Sequence, residues 1–248
     1  MWDDQAHAVT RSDHCGEHAT AVTGSPDLPV ARAAKWPLLA SLPEAQLRAL
    51  LSVTRRRRFA RNEVVFHEGD PGDTVHLIDK GRVALRVTTP LGDTVTLRIL
   101  GVGALFGELA VIAPAPRNAT VVALERTETL TLHRDHFDEL RRQHPGVDRV
   151  LIDALIAEVR RLSAQLLEAL YVPVPRRVAL RLIDLSDQYG DGSGAVDIPL
   201  TQDDLAGLCG TSRTTVNKVL RRLEADGLVT ISRGHVLVPE PNRLRSRR

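Results

Sequence analysis

The residues best suited to chemistry sit in "GELAVIAPAPRNAT", Gly107 to Thr120, where a glutamate and an arginine lie nine positions apart with two prolines between them. Gly107 allows close backbone approach, and the N–H groups of a short non-strand segment there can turn inward to hold an anion. Arg117 adds a fixed charge whose planar fork fits phosphate, and Glu108 can accept from a ribose hydroxyl. Without a ligand, the same two residues are a salt bridge inside a folded shell, and the sequence leaves both readings open.

A second constellation lies in "LTQDDLAGLCGTSRTTVNKVLRRLEADGLV". Thr201 and Asp204 have the spacing of a capping box, and Leu205, Ala206 and Leu208 form a short apolar helix face. The "CGTS" turn with Gly210 breaks that helix. A second helix starts near Ser212, with Val216, Val219, Leu220 and Leu223 turned inward, which makes a helix-turn-helix. Gln202 at the start of the first helix, and Arg213, Thr214, Asn217, Lys218, Arg221 and Arg222 on the second, are donors and acceptors suited to base edges and phosphates. "LVTISRGHVLV" follows directly and supplies a β-wing with Arg233 and His235 at its tip, placed to meet phosphate. A plain helical hairpin with solvated basic residues is the alternative, and the wing argues against it.

These two groups need elements to carry them. At 248 residues the chain calls for two domains, and 43% hydrophobic with 26% charged residues excludes disorder on the scale of the whole chain. The net charge is +2, with thirty arginines and three lysines. The basic excess gathers toward the C-terminal tail "RLRSRR", which either solvates or touches nucleic acid. Cys15 and Cys209 stand in dissimilar contexts, as in a reducing compartment. No apolar run approaches the roughly 20 residues a membrane helix needs, and "MWDDQ" is not a signal peptide, so the expectation is a cytoplasmic protein without a membrane partner.

Residues 1–35 have no apolar period and read as a poorly ordered extension. His14, Cys15 and His18 could ligate a metal there, but with one thiol and no second cluster they read as a solvated tail. Ser41 and Glu44 are spaced as a capping box ahead of Leu47, Leu50 and Leu51, which share one helical face. Between 59 and 133 the period becomes two. Val83, Leu85 and Val87 alternate with other residues, Val95, Leu97 and Ile99 alternate with Thr94, Thr96 and Arg98, and Leu130 and Leu132 with Thr129 and Thr131. Glycines punctuate these half-buried strands, with "LGD" as a hairpin tip, and a small antiparallel barrel or jelly roll is the economical closure. A helix follows over about 147 to 170, with Val147, Leu151, Leu155, Leu162 and Leu166 near a heptad seam. The extra apolar positions Ile152, Ile156 and Val159 predict that it packs on the barrel and on a partner helix together, making a homodimer. "YVPVPRR" then ends it as a hinge. The expected fold is α+β: an effector domain over 36–146 built on an antiparallel β-barrel of jelly-roll type, a dimerisation helix over 147–171 and a winged helix-turn-helix over 172–248.

In this order the parts resemble the CRP/FNR transcription regulators, through "EGDPGDTVHLIDKGRVAL", "FGELAVIAPAPRNATV" and "GTSRTTVNKVLRRLE", over about 38 to 240. The resemblance implies a cyclic-nucleotide-binding barrel, with cyclic AMP or a related nucleotide as effector. It makes Gly107, Glu108, Leu109, Arg117, Asn118 and Ala119 the phosphate-binding cassette, Asn118 replacing the usual small residue. It further implies sequence-specific binding to a palindromic double-stranded operator and contact with RNA polymerase. In the reading helix Arg213 and Lys218 match the family's base-contacting residues, and Ser212 and Thr215 its phosphate-contacting ones. Thr214 stands where glutamate is common, so the family's usual operator is not implied at that base pair. Counted back from Arg177, the family's adenine-reading pair falls on Leu162 and Ser163, and an arginine one turn earlier falls on Glu158, which would face Glu108. Phosphate recognition therefore looks complete and adenine recognition weakened.

Other chemistries screen out. An iron-sulfur cluster needs four cysteines where this chain has two. His67 and His76 could be haem ligands but read as surface or core histidines, and no metal site is expected. With no nucleophile and base pairing, an enzyme is not expected. A cyclic-nucleotide-responsive regulator and a regulator with an empty or differently filled barrel, binding DNA without effector, both remain.

Overall fold

The computed structural model describes residues 30–90, 92–190 and 194–246. His14, Cys15 and His18 lie outside the described residues. Packed structure is present from Val30: α1 (Val30–Ala33) buries Ala33, and Trp36, Leu38, Leu39 and Leu42 follow it into the core. Residues 30–35 therefore belong to the folded unit.

Helix α2 (Glu44–Val53) buries Leu47, Leu50 and Leu51 as the spacing requires. Its expected capping box does not form. Pro43 takes the N-cap position without a side-chain cap, which leaves Ser41 two residues short of the helix end it would have capped.

Eight strands follow as two four-stranded sheets facing each other, the expected jelly roll, with the sheets open where full closure into a barrel was the expectation. One sheet has the order β1 (Arg55–Phe59), β8 (Thr127–His133), β3 (Thr74–Lys80) and β6 (Leu105–Phe106). The other has the order β2 (Val64–Phe66), β7 (Thr120–Ala123), β4 (Val83–Thr88) and β5 (Thr94–Leu100). Phe59, Ile78, Val83, Leu100, Phe106 and Val121 fill the space between them. Helices α2 and α4 (Arg134–Gln143), with the start of α5 (Pro145–Tyr171), cover the outer face of the first sheet.

Two strands depart from simple alternation. On β8 both faces are buried: Leu130 and Leu132 pack under the helices, while Thr129 lies beside His76. On β5 a bulge shifts the register, so that Leu85 pairs with Arg98 and Arg86 with Thr96, which leaves Leu97 as the extra residue. Leu97 is accordingly exposed and Thr96 buried, the reverse of the pattern the sequence predicts.

Helix α5 runs 27 residues, buries Val147 and Leu151 at its start, and then exposes its apolar residues from Ile152 to Tyr171. Pro173 starts the turn into α6 (Val174–Tyr189). The remaining domain holds β9 (Val196–Ile198), α7 (Gln202–Cys209), α8 (Arg213–Ala225), the wing strands β10 (Thr230–Ser232) and β11 (His235–Val238), and α9 (Pro241–Arg245). Strand β9 adds to the wing to give the order β10-β11-β9. This domain is not separate from the sandwich: Ala84, Ile99 and Leu124 belong to the same apolar cluster as Leu182, Leu205, Val216 and Leu220.

Candidate functional site

The cassette leaves β6 at Gly107, whose φ of +81° is a left-handed conformation that glycine adopts without steric cost. A Cβ there would stand 2.6 Å from Arg117 Nη1, so glycine also makes room for the arginine. Glu108 stands at the N-cap position, without a side-chain cap, of a four-residue helix, α3 (Leu109–Ile112). Arg134 pins that excursion, donating to the carbonyls of Ala110 at 3.0 Å and Val111 at 3.3 Å.

Arg117 is buried, and its backbone is held on both sides by the 69–70 loop: Gly69 N donates to its carbonyl and its own N–H donates to Asp70, each at 2.8 Å. Its Nη1 donates to the Gly107 carbonyl and its Nη2 to the Thr74 carbonyl, both at 2.8 Å. The guanidinium lies 4.2 Å from the centre of the Phe66 ring, within cation–π range. Nε is buried and has no partner. Burial lowers the Arg117 pKa, against the attraction of Asp73, Asp70 and Glu108. No Glu108–Arg117 ion pair forms among the described residues: the two Nη groups are committed to carbonyls.

Glu108 is half-buried, and burial raises its pKa. Arg98 and Arg117 pull that pKa down, and Glu158 pushes it up. Glu158 already has arginine partners. It accepts from Arg98 at 2.8 Å and from Arg161, whose hydrogen bond lowers its pKa. Ser163 is exposed and its hydroxyl donates to the Val159 carbonyl one turn back. Leu109 and Asn118 are exposed and Ala119 is buried.

His76 is buried with its ring stacked on Phe106 at 4.8 Å, and burial holds its pKa down to about 3, with Arg117 and Arg57 adding repulsion. It is a neutral core residue, and His67 lies on the surface. Among the described residues no group of three His, Cys, Asp or Glu side chains could hold a metal ion.

The helix-turn-helix forms as its sequence signals direct. Thr201 and Asp204 make a reciprocal capping box on α7, and Gly210 ends that helix in the left-handed conformation. Ser212 caps α8, its hydroxyl accepting from Thr215 N at 3.2 Å. Val216 and Leu220 are fully buried, which turns Arg213, Thr214 and Lys218 outward. Arg213 lies 3.3 Å from Asp203, both well exposed. Asn217 is half-buried with Oδ1 turned inward and unpartnered, and Gln202 is half-buried at the start of α7. Arg233 is exposed in the wing turn, whereas His235, expected beside it at the tip, meets Asp197 of β9 at 3.0 Å.

Sequence reasoning missed Arg177. This buried side chain donates to the carbonyl of Ala169 at 2.7 Å and to that of Gly210 at 3.3 Å. It thereby ties the end of α5 to the turn of the helix-turn-helix. The second of two adjacent arginines after two prolines, Arg177 carries no local signal for such a long-range role.

Residues 56–144 match the family model of the cyclic nucleotide-binding domain, and residues 176–247 that of the Crp-like helix-turn-helix domain. The chain is 34% identical to the cyclic AMP receptor protein of Thermus thermophilus, over 82% of this chain and 93% of that one. It is 32% identical to the CRP-like cAMP-activated global transcriptional regulator of Mycobacterium tuberculosis, over 76% of this chain and 86% of the relative. Among solved structures, FixK2 from Bradyrhizobium japonicum has the same fold, with a TM-score of 0.69 over 78% of this chain and 96% of that one at 18% identity.

Proposed function

This chain belongs to the CRP/FNR family of transcription regulators, and from that membership we propose that it works as a homodimer that reads a palindromic operator under control of a cyclic nucleotide. Arg213, Thr214 and Lys218 read base edges, while Ser212, Thr215 and Arg233 meet phosphates, with Gln202 and Asn217 at the margin of the contact. The exposed face of α5, from Ile152 to Leu170, is the seam between the two copies. A two-fold dimer sets its reading helices about one helical turn apart, roughly 34 Å.

One observation carries the effector reading: Arg117 is buried in the cassette with Nε unpaired, a charge-bearing donor that a phosphate oxygen would satisfy. Gly107, Glu108, Leu109, Arg117, Asn118 and Ala119 hold the phosphate and ribose, and Ser163 and Glu158 stand toward the base. When bound, the nucleotide supplies a negative charge to this space. The chain's own groups then do the rest: Arg117 neutralises that charge and Glu108 accepts a hydroxyl. The relatives from Thermus thermophilus and Mycobacterium tuberculosis carry cyclic AMP in their names, which favours that nucleotide here.

A second reading, an effector-free regulator, rests on the committed Nη groups of Arg117 and on the Ser163 hydroxyl bonded back to its own helix. Calorimetric titration with cyclic AMP, cyclic GMP and cyclic di-GMP separates the two. Heat with one nucleotide, lost in Arg117→Ala, supports the first; no heat with any of them leaves the second. For DNA, Arg213→Ala should weaken a selected operator by roughly 10- to 100-fold in fluorescence anisotropy, as loss of one bidentate base contact predicts. Unchanged specific binding would remove α8 from its assigned role.

A further inference from the structure

Gly207 stands in the interior of α7, where glycine is a poor choice for a helix. Its position is explained by what faces it. A Cβ on Gly207 would lie 2.4 Å from the backbone nitrogen of Thr96, on β5 of the sandwich. The first helix of the reading head is therefore in backbone contact with the effector domain.

One turn earlier on the same helix, Asp204 joins the two domains through both carboxylate oxygens. Oδ2 serves the reading head, accepting from Thr201 N at 3.2 Å and Thr201 Oγ1 at 2.7 Å in the capping box. Oδ1 serves the sandwich, accepting from Arg86 of β4 at 2.5 Å, with Thr96 Oγ1 at 3.4 Å. The pair is largely buried, with Asp204 nearly sealed. Just before β4, Arg82 makes a second fastening: it donates to the Gln188 carbonyl at 2.7 Å and lies 4.0 Å from the Tyr189 ring centre at the end of α6. Beside the Gly207 contact a cavity of about 270 Å³ opens between β5, α5 and α7. These polar fastenings flank the apolar cluster that Ala84, Ile99 and Leu124 share with the helix-turn-helix domain.

Arg86 also has a short connection to the cassette. It pairs across β4 and β7 with Thr120, three residues beyond Arg117. Thr120 Oγ1 in turn accepts from Glu68 N in the loop that holds the Arg117 backbone.

We propose that Arg86 and Gly207 are positioning residues for DNA reading: through Asp204 and Thr96 they fasten α7 to the effector sheet and transmit the state of the Arg117 cassette to α8. This rests on the cyclic-nucleotide reading above. The sandwich side contributes a cation and a close backbone surface, and the head contributes a capping carboxylate and a helix without a side chain at the crossing. Shifting β4 or β5 then shifts the capped end of α7, which carries Asp203 against Arg213.

The test uses the full-length protein with Arg86→Ala, Arg86→Lys and Gly207→Ala, measuring operator affinity with and without cyclic AMP, and cyclic AMP binding by calorimetry. In the parent, the nucleotide should change operator affinity by about tenfold or more. In Arg86→Ala and Gly207→Ala that factor should fall below about threefold with nucleotide binding retained, and Arg86→Lys should keep an intermediate factor. Parent-like coupling in both variants would overturn the proposal, and so would loss of nucleotide binding, which would place these residues in the pocket itself. If the parent binds no cyclic nucleotide, the functional reading fails and hydrogen exchange decides the positioning role. Amides in the first turn of α7 should then exchange at least about tenfold faster in both variants while those of α8 keep parent protection, which also reports that the head is folded. Unchanged exchange in α7 overturns the proposal.

Discussion

Val159 offers a direct test of the dimer. It stands midway along α5 at 62% exposure, between Ile156 at 45% and Leu162 at 47%. An apolar helix face this long does not stay in water without a cover. Burying one valine fully is worth about 1.5–3 kcal/mol, so covering the exposed part gives about 1–2 kcal/mol per copy and about 2–4 kcal/mol per dimer. Val159→Asp forfeits that and brings two carboxylates into an apolar seam. The dimer dissociation constant should therefore rise by at least about 30-fold, and by several hundred-fold at the upper end. Sedimentation velocity over a concentration series measures it. Arg149→Ala, which breaks only an exposed pair with Asp153, should leave the constant unchanged. If Val159→Asp sediments as the parent dimer with an unaltered constant, α5 is not the seam.

Gly107→Ala forces a left-handed backbone costing about 1–2 kcal/mol and drives a methyl against Arg117, so the melting temperature should fall in calorimetry and nucleotide binding by more than about tenfold. His76, held to a pKa of about 3 in the fold, refuses a proton that the unfolded chain takes below pH ~6.5. Stability from this group is thus complete above pH ~6.5 and is lost as pH falls toward 3, by roughly 2 kcal/mol between pH 6.5 and 5. Urea midpoints should show that slope in the parent and a flatter one in His76→Gln. Thr201→Ala removes one half of the α7 capping box and should cost about 1 kcal/mol of stability in the same assay.

Much of the reading head was legible because its signals are local. Thr201 with Asp204, Gly210 and Ser212 each fix one helix end through hydrogen bonds to near neighbours, and the Val216–Leu220 stripe states which face is buried. The failures have physical causes as well. Ser41 and Glu44 had the right spacing for a cap, but Pro43 set the helix start. Leu97 had the right alternation for a core residue, but the bulge opposite Leu85 and Arg86 turned it out. The alternation of Thr129 and Thr131 with leucines is that of a half-buried strand, whereas helices cover one face of β8 and the second sheet the other.

By itself the sequence determined the order of the elements, the non-strand excursion between Gly107 and Ala119, the outward set on α8 and the helix break after Tyr171, since each is recorded in residues near one another along the chain. Only the tertiary structure decided what those parts touch. Arg117 bonded to the carbonyls of Gly107 and Thr74 rather than to Glu108, Arg177 tying α5 to Gly210, and Gly207 pressed on Thr96 all join residues from different elements. Such partners depend on how sheets and helices close on one another, and neighbouring residues along the chain do not record that closure.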